Sequence, residues 1–538
     1  MRMDHRCYHN IDASPTPVVS VMDCVSCIRE PTEDDIALIH QTTMASEEAI
    51  QELNSEMNML YSVLERLRLQ KDKHQENIRQ ASSLLTLARR LHPELLARIF
   101  EICAESGWTR APVAVSQVCS AWRKAAAFPR VWSHLFLDLR SRNSIGKVEF
   151  WLRKVQHAPL HITLDIPLGP LSLEEVWGLL IPRCKQWHTL IVKSVDSTTM
   201  NYVLHRCSFP LPALSQLSVI TEMEGSQGDL VNVSSLQDAP HLSRLFIEQP
   251  NLPQWSNFIG VTKLHVVLSS STLLAPSINA TDWIEMLQAL PELRDLTVEL
   301  SKPEARPYNV NTQRVADLPH LESLTLHVSP EVNGILLTMR APALRQLHLR
   351  CSSDPFSRQH MPSGAHLCRF LESSPCLQLL ELYDVDVEHT DFARCFELLP
   401  KLEELRLHDS DVADEQLRLL HGNNGYCPNL ARLDFRWCNY LTGNALVNLV
   451  QSRLPGDEGE DQVSPTTPQT RSIDEVAVIN CLHVKEQDVF DLAEITLCRL
   501  LMRSNEDHCY GRGCCNNERY RQRLRLRHNN KLPARVIL

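Results

Sequence analysis

Cysteine and histidine side chains are the first residues here whose spacing can be tested for chemistry. Cys24 and Cys27 have the Cys-x-x-Cys spacing of half a zinc site, and Cys7 and His9 precede them. A structural zinc site needs four ligands, and no second pair follows at a spacing typical of such sites. We therefore predict no metal and no cofactor, and we interpret these cysteines as part of a flexible tail.

Four common catalytic and phosphate-binding motifs were compared with the sequence, and none of them occurs in it. The sequence contains no GxxxxGK[ST], GxGxxG, GxSxG or HExxH, and it has only 16 glycines. Phosphate-binding loops and strained nucleophile turns need glycines, because their backbones approach other atoms closely or adopt unusual angles. The histidines are scattered, and His327, His348 and His408 stand beside apolar residues of strand periodicity. We expect a binding protein and no enzyme.

Composition limits the classes of partner. The chain has 54 basic and 65 acidic residues, a net charge of −11, so neither nucleic acid nor an anionic membrane is an expected partner. No apolar run is long enough to span a bilayer, and the N-terminus does not resemble a signal peptide. We expect an intracellular protein, cytoplasmic, nuclear or both, whose cysteines are reduced.

A long amphipathic helix is predicted at 41–86, after a disordered tail at 1–40. Apolar residues from Ile50 to Leu67 recur at alternating intervals of three and four, which is a coiled-coil heptad pattern. Lys71 and His74 then place polar groups in the stripe. The pattern is compatible with a homodimer and equally with packing on the chain's own next domain.

The segment 87–140 predicts a small helical bundle. Pro93 suits the first turn of a helix, and a second helical run follows Gly107 and Pro112. A Pro129-x-x-Trp132 pair ends the segment. The positions that we expect to form one surface and its supporting core are Leu91, Pro93, Leu95, Leu96, Ile99, Phe100, Val115, Val118, Trp122 and Trp132.

The order of these residues resembles the F-box. It reads Leu-x-Pro-Glu-Leu-Leu-x-x-Ile-Phe from Leu91, Val-Ser-Gln-Val-Cys-x-x-Trp-Arg from Val115, and Pro-x-x-Trp from Pro129. His92 stands where the family usually has a proline. The resemblance implies that the ten positions named above contact a Skp-family adaptor, which is held on a cullin scaffold, or support that contact.

The remainder of the chain is repetitive, and an internal repeat decides architecture. A Pro-x-Leu-x-x-Leu-x-apolar pattern recurs many times, with weaker copies at Val261 and Ile473. The eight full copies begin at Pro212, Pro240, Pro291, Pro319, Pro342, Pro375, Pro400 and Pro428.

These copies resemble leucine-rich repeats. The last two apolar residues of each copy are two apart, as a strand requires if both are to point inward, and neighbouring layers must cover them. We predict an α/β protein in which a short helical F-box bundle precedes an irregular leucine-rich-repeat solenoid at 150–500. An acidic disordered insertion is expected at 455–471, and a basic Cys/Arg-rich tail at 501–538.

Together the resemblances imply the substrate-recognition subunit of an SCF-type ubiquitin ligase, whose solenoid binds a protein target. The alternative is a leucine-rich-repeat scaffold with no ligase role. Residues flanking the inward pair face the concave side, where arginine and aromatic residues often dominate binding. We predict that an acidic or phosphorylated target segment docks on the later repeats, at Arg350, Tyr383, Arg406, His408, Arg436 and Trp437.

Overall fold

The computed structural model of this protein divides into two units, residues 1–92 and 93–538. It describes the chain from 32 to 501 with gaps, and a short final strand. The described ranges are 32–84, 91–167, 173–223, 230–233, 239–255, 258–269, 278–300, 314–328, 330–351, 363–385, 387–422, 425–455, 470–501 and 536–537.

The described part of the first unit forms a long helix, α1 (Glu33–Leu84), of 52 residues. At about 1.5 Å per residue it is about 78 Å long. Thr32 and Asp35 form a reciprocal cap, in which the Thr32 backbone N–H donates to the Asp35 carboxylate and the Asp35 N–H donates to the Thr32 hydroxyl. This cap explains why the helix begins well before the predicted boundary at 41, inside the range predicted as a disordered tail. Residues 1–31, with the candidate zinc ligands, lie outside the described ranges.

The heptad stripe of α1 is exposed and has no partner among the described residues of its own unit. Its exposed members include Ile50, Leu53, Met57, Leu60, Leu64 and Leu67.

The second unit begins with helices α2 (Pro93–Glu105), α3 (Ala111–Ser116) and α4 (Ser120–Ala125), followed by a 3₁₀ turn, Pro129–Trp132. In α2 the apolar side chains recur at helical spacing, so that Leu96, Phe100 and Ala104 form a buried face.

In the described part of this unit a 15-stranded sheet follows, together with a separate pair, β8 and β10. All neighbours in the large sheet are parallel except the last pair, β16 and β17. In chain order the elements are β1 (His134–Asp138), α5 (Ser144–Val155), β2 (Leu160–Ile166), α6 (Leu173–Leu180), β3 (Trp187–Asp196), α7 (Ser197–Arg206), β4 (Gln216–Met223), β5 (Arg244–Gln249), β6 (Lys263–Leu268), α8 (Ala280–Gln288), β7 (Asp295–Leu300), β8 (Ala316–Asp317), β9 (Ser323–Val328), β10 (Met339–Arg340), β11 (Gln346–Cys351), α9 (Ser363–Leu371), β12 (Leu379–Tyr383), α10 (His389–Glu397), β13 (Glu404–His408), α11 (Asp414–Leu419), β14 (Arg432–Arg436), α12 (Gly443–Gln451), β15 (Glu475–Ile479), α13 (Glu486–Ile495), β16 (Leu497–Leu501) and β17 (Val536–Ile537).

The repeat pattern sets the register of this sheet. The second leucine of each copy pairs with the corresponding leucine of the next strand, as in Leu347 with Leu380 and Leu380 with Leu405. The residue two further on is also buried, so each layer covers its neighbours. The sequence predicted a solenoid of stacked repeats, and the structure has stacked repeats whose strands form a long, mostly parallel sheet.

The sheet begins earlier than predicted. Strand β1 starts at His134, inside the predicted helical segment 87–140, and β1 to β3 precede the first full repeat at Pro212. These strands bury Leu135, Ile162 and Leu190 but lack the Pro-x-Leu signal that identifies the later copies. Most of the predicted insertion at 455–471 and of the tail at 501–538 lies outside the described ranges.

Candidate protein-binding surfaces

Helix α2 presents an exposed apolar face. Leu95, Ile99 and Ile102 are separated by four and three residues, so they lie on one side of the helix, and each is exposed. Val118, between α3 and α4, and Trp108, between α2 and α3, are exposed in the same helical segment. Exposed apolar side chains grouped on one small element are typical of a protein-binding surface.

The ten positions predicted from the motif have two different environments. Pro93, Leu95, Ile99 and Val118 are exposed. A second group forms the interior that supports them: Leu96, Phe100, Val115 and Trp132 are buried, and Trp122 is half-buried against Phe100 with ring centroids 5.0 Å apart. Leu91 belongs to the first unit. The sequence-based prediction missed Ile102 and Trp108, although Ile102 continues the spacing of Leu95 and Ile99.

Trp132 faces the solenoid. Its ring makes edge contacts with Trp151 and Phe150 of α5, at centroid distances of 4.9 and 5.4 Å, and its indole N–H donates to the Ala126 carbonyl at 2.6 Å. Because the side chain is buried within its own unit, it fixes the helical segment to the first repeat and is not itself exposed to a partner. Trp132 therefore belongs to the interior that supports the exposed face, which is one of the two roles predicted for these ten positions.

The second surface is the polar face of the sheet, where in-register residues of successive strands form columns. One column contains His348, Glu381, Arg406 and Asp434, on β11 to β14. The next column contains the predicted target-binding residues Arg350, Tyr383, His408 and Arg436, in the same order.

Glu381 is the centre of this part of the face. Its carboxylate is almost fully buried and lies 2.9 Å from His348 Nδ1, 2.8 Å from an Arg350 guanidinium nitrogen and 3.4 Å from Arg406. Burial alone raises the pKa of Glu381, but the hydrogen bond with His348 and the charge of Arg350 outweigh it and lower the pKa to about 2.

Two further carboxylates pair with the remaining arginines. Asp434 accepts two hydrogen bonds from Arg436, at 2.9 and 2.6 Å, and lies 3.5 Å from His408 Nε2. Burial alone raises the pKa of Asp434, but hydrogen bonds with His408 and Arg436 and the charges of both residues outweigh it and lower the pKa to about 2. Glu404 contacts Arg406 at 2.5 Å and Arg432 at 2.8 Å.

The predicted arginines therefore lie on one face, but each is already paired with a carboxylate of that face. Arg350, Arg406 and Arg436 remain partly exposed. The prediction overlooked Glu381 and Glu404. Glu381 has the strand periodicity of the polar face, and this was the signal that could have found it.

Tyr383, His408 and Trp437 complete the predicted surface. The rings of Tyr383 and His408 meet edge to face, 6.1 Å between centroids, and His408 is buried. Trp437 directly follows β14 with a φ of 55°, a left-handed conformation that is uncommon for a bulky residue. The backbone N–H of Trp437 donates to the Ile479 carbonyl oxygen at 2.9 Å. This hydrogen bond extends the pairing of β14 with β15 by one residue and helps to hold the left-handed conformation.

The described residues contain no group of three or more His, Cys, Asp or Glu side chains placed to hold a metal ion. Within those ranges no helix is both long and apolar enough to cross a bilayer.

Comparison with known proteins gives structural likenesses alone. No protein-family model matches the chain, and no curated protein matches it. Among solved structures, a protein from Bacteroides fragilis is 14% identical, covering 57% of this chain and 78% of its own, with a TM-score of 0.28. The Rad7 and Elc1 complex in yeast is 13% identical, and the match covers 69% of this chain and 95% of that chain with a TM-score of 0.33. A TLR13–ssRNA13 complex is 13% identical, and the match covers 56% of this chain and 50% of that chain with a TM-score of 0.26. The solenoid assignment rests on the chain's own strand order and repeats.

Proposed function

We propose that this protein is the substrate-recognition subunit of an SCF-type ubiquitin ligase. The observation that carries the proposal is the division of the motif residues between a buried interior and the exposed face of Leu95, Ile99 and Val118. A bundle that served only as core would leave no reason for so many large apolar side chains in contact with water. A Skp-family adaptor is the partner that this face fits, since the residues occur in the order of the F-box.

The chain supplies proximity and no chemistry. The adaptor and a cullin scaffold would hold the solenoid near a ubiquitin-conjugating enzyme, so that binding energy orients the target for a reaction catalysed by other subunits. The protein would act in the cytoplasm, the nucleus or both.

The later repeats are the proposed target-binding region. Arg350, Arg406 and Arg436 are partly exposed beside Tyr383 and Trp437, and residues of these types are frequent at the energetic centres of interfaces. Their pairing with Glu381, Glu404 and Asp434 preorganises the guanidinium groups and offsets much of their charge. An acidic or phosphorylated target segment must therefore share these arginines with the face's own carboxylates.

A homodimer through α1 is also part of the proposal. The stripe from Ile50 to Leu67 is continuous, and a parallel pairing would place Lys71 opposite its own copy. A lysine at one such core position lowers stability but fixes register and oligomeric state, so it is compatible with a two-stranded coiled coil.

The alternative function, a scaffold with no ligase role, is favoured by one observation. Trp132 packs on α5 and β1 follows immediately, so the helical segment also covers the first repeat as a solenoid cap would. Affinity purification of the full chain with mass spectrometry separates the two functions. Recovery of adaptor and cullin peptides supports the ligase subunit, and their absence from a preparation that retains target proteins supports the scaffold.

A further inference from the structure

Two buried cysteines of neighbouring repeats lie in contact with each other. Cys368 is on α9, and Cys395 is on α10, 27 residues further along the chain. Their Sγ atoms are 3.0 Å apart, which is a hydrogen-bonding distance between thiols. Both residues are on helices, away from the exposed face of α2 and from the polar face of the sheet, so the proposed function does not use them.

Close packing of α9 against α10 brings the two sulfur atoms together. Gly364 and Asp391 lie in the first turns of these helices, and a Cβ added at Gly364 would be only 2.8 Å from the Asp391 Cβ. Cys368 and Cys395 each follow four residues later, which places them one turn further along the same sides of the two helices. The Cys368 thiol also donates to the Asp391 carbonyl oxygen at 3.4 Å. Contacts on two successive turns therefore fix the distance between the thiols.

The two thiols differ in acidity. The hydrogen bond with Cys395 lowers the pKa of Cys368, although burial opposes it, and the same bond together with burial raises the pKa of Cys395. The thiolate is the reactive form of cysteine. Cys368 is therefore suited to attack an oxidant, and Cys395 is placed to attack the oxidised sulfur that results.

We propose that Cys368 and Cys395 form an oxidation site that reacts with hydrogen peroxide and gives a reversible disulfide, which stabilises two neighbouring repeats. In the first step the Cys368 thiolate attacks a peroxide oxygen and the O–O bond breaks. The products are the Cys368 sulfenic acid and hydroxide, which takes the proton lost by the Cys368 thiol and becomes water.

The second step forms the bond between the repeats. The Cys395 sulfur attacks the Cys368 sulfur, the S–O bond breaks, and the hydroxide that leaves takes the Cys395 proton as water. Overall, two thiols are oxidised to one disulfide, and one hydrogen peroxide is reduced to two molecules of water.

The geometry requires a small movement. A disulfide brings its sulfur atoms to about 2.05 Å, so the thiols must approach by about 1 Å from their present contact. The side chains of Cys368 and Cys395 are 0% and 1% exposed, so peroxide reaches them during transient local opening of the two helices. In a reducing compartment a disulfide of this kind would be transient and would serve as a redox sensor.

The disulfide would join α9 to α10 covalently. Strand β12, which carries Glu381, lies between these helices in the chain and would be enclosed in the covalent loop. Closing such a loop restricts the unfolded chain, so it stabilises the folded repeats around Glu381.

Mass spectrometry of the full chain tests the linkage. The protein is reduced, freed of reductant, treated with hydrogen peroxide, alkylated and digested with trypsin. Trypsin releases Cys368 in peptide 359–369 and Cys395 in peptide 395–401, and neither peptide contains another cysteine. We expect the two peptides to be joined after peroxide and separate again after dithiothreitol. Absence of the joined pair from a sample whose methionines have been oxidised would overturn the proposal.

Variants distinguish this pair from other buried thiols. Cys395→Ser should leave the Cys368 sulfenic acid without a second thiol, so dimedone should label Cys368 and no joined peptides should form. The matched control is Cys427→Ser, which removes a buried thiol that donates to the Phe396 carbonyl oxygen at 3.5 Å, and it should link as the wild type does. Equal linkage of peptide 359–369 to other cysteines in the Cys395→Ser variant would mean that the pair is not a specific site.

Thermal unfolding gives a readout that needs no substitution. We expect the oxidised wild-type protein to unfold about 5 °C or more above the reduced protein, because the cross-link restricts the unfolded chain. Dithiothreitol should reverse this difference, and the Cys395→Ser variant should show none. Equal unfolding temperatures for linked and reduced wild-type samples would overturn the proposal that the disulfide stabilises these repeats.

Discussion

Leu95 and Leu96 are adjacent in the chain but lie on different sides of α2, where their side chains are 55% and 4% exposed respectively. Successive helical residues are separated by about 100° around the axis, so one leucine faces water and the other contacts the interior. The same substitution should therefore have two different effects at these neighbouring positions.

Leu95→Ala with Ile99→Ala should lower adaptor capture by about tenfold or more and leave thermal stability nearly unchanged, because exposed side chains contribute little to folding. Leu96→Ala should instead lower the free energy of unfolding by about 2–5 kcal/mol, since it leaves a cavity. Capture is measured by pull-down and stability by circular dichroism. Undiminished capture by the Leu95/Ile99 variant would exclude this face as the adaptor site.

Glu381→Gln should destabilise the later repeats by about 3 kcal/mol, because Arg350 and His348 lose a buried charged partner. The pKa of Glu381 lies below its ordinary value, so its contribution to stability is present above about pH 4.5 and is lost as pH falls toward 2. Denaturant unfolding across that range measures both effects. Glu397→Gln, at an exposed position on α10, is the control, and an equal loss there would contradict the assignment.

His161 should make the early repeats sensitive to mild acid. Burial, with smaller effects from His134 and His188, lowers the pKa of His161 from 6.5 to about 4. Because the folded pKa is depressed, the stabilisation from neutral His161 is present above pH 6.5 and is lost as pH falls to 4. The imidazole is partly exposed, so solvent screening leaves an effect on the order of 1 kcal/mol.

The control for this prediction is His161→Phe. In the wild-type protein the His161 ring stacks on the His134 ring with 4.4 Å between centroids, and phenylalanine retains a ring at that place. We expect its unfolding free energy to change less than that of the wild type between pH 6.5 and 4. Parallel curves for the two proteins would show that other groups cause the acid sensitivity.

Light scattering of the full chain tests the proposed pairing of α1. If the protein is a dimer, Leu64→Lys with Leu67→Lys should yield a monomer, because charges would enter the apolar stripe. Met59→Lys with Leu69→Lys changes exposed apolar residues away from the stripe and should leave the dimer intact. A monomeric wild-type protein would rule out pairing.

The arginine face is tested by changing Arg350, Arg406 and Arg436 to Gln together. Removal of charge is preferable to reversal, because glutamates beside Glu381 and Asp434 would introduce repulsion unrelated to the target. We expect target capture to fall at least fivefold, on the order of 1 kcal/mol. The matched control is the same change at the outer helices, Arg369, Arg394 and Arg418. Equal loss in both triple variants would mean that the face is not the site.

The sequence by itself determined the repeat architecture. Leucines two apart must point to the same side of a strand, and a leucine layer that cannot cover itself must stack on the next. The pattern from Pro212 onward was therefore enough to predict a solenoid of stacked repeats. The order of residues from Leu91 to Trp132 likewise predicted a helical segment, but only the structure separated its exposed side chains, such as Leu95 and Ile99, from its buried ones.

Only the tertiary structure decided which charges meet. Arg350 and Glu381 are 31 residues apart, and His408 and Asp434 are 26 apart, in repeats of unequal length. Periodicity within one repeat gives the face of each side chain but not its neighbour, because that neighbour depends on the register between strands. The pairing of the arginines and the position of Trp132 against α5 both depend on contacts between layers, and the local pattern of a single repeat does not encode them.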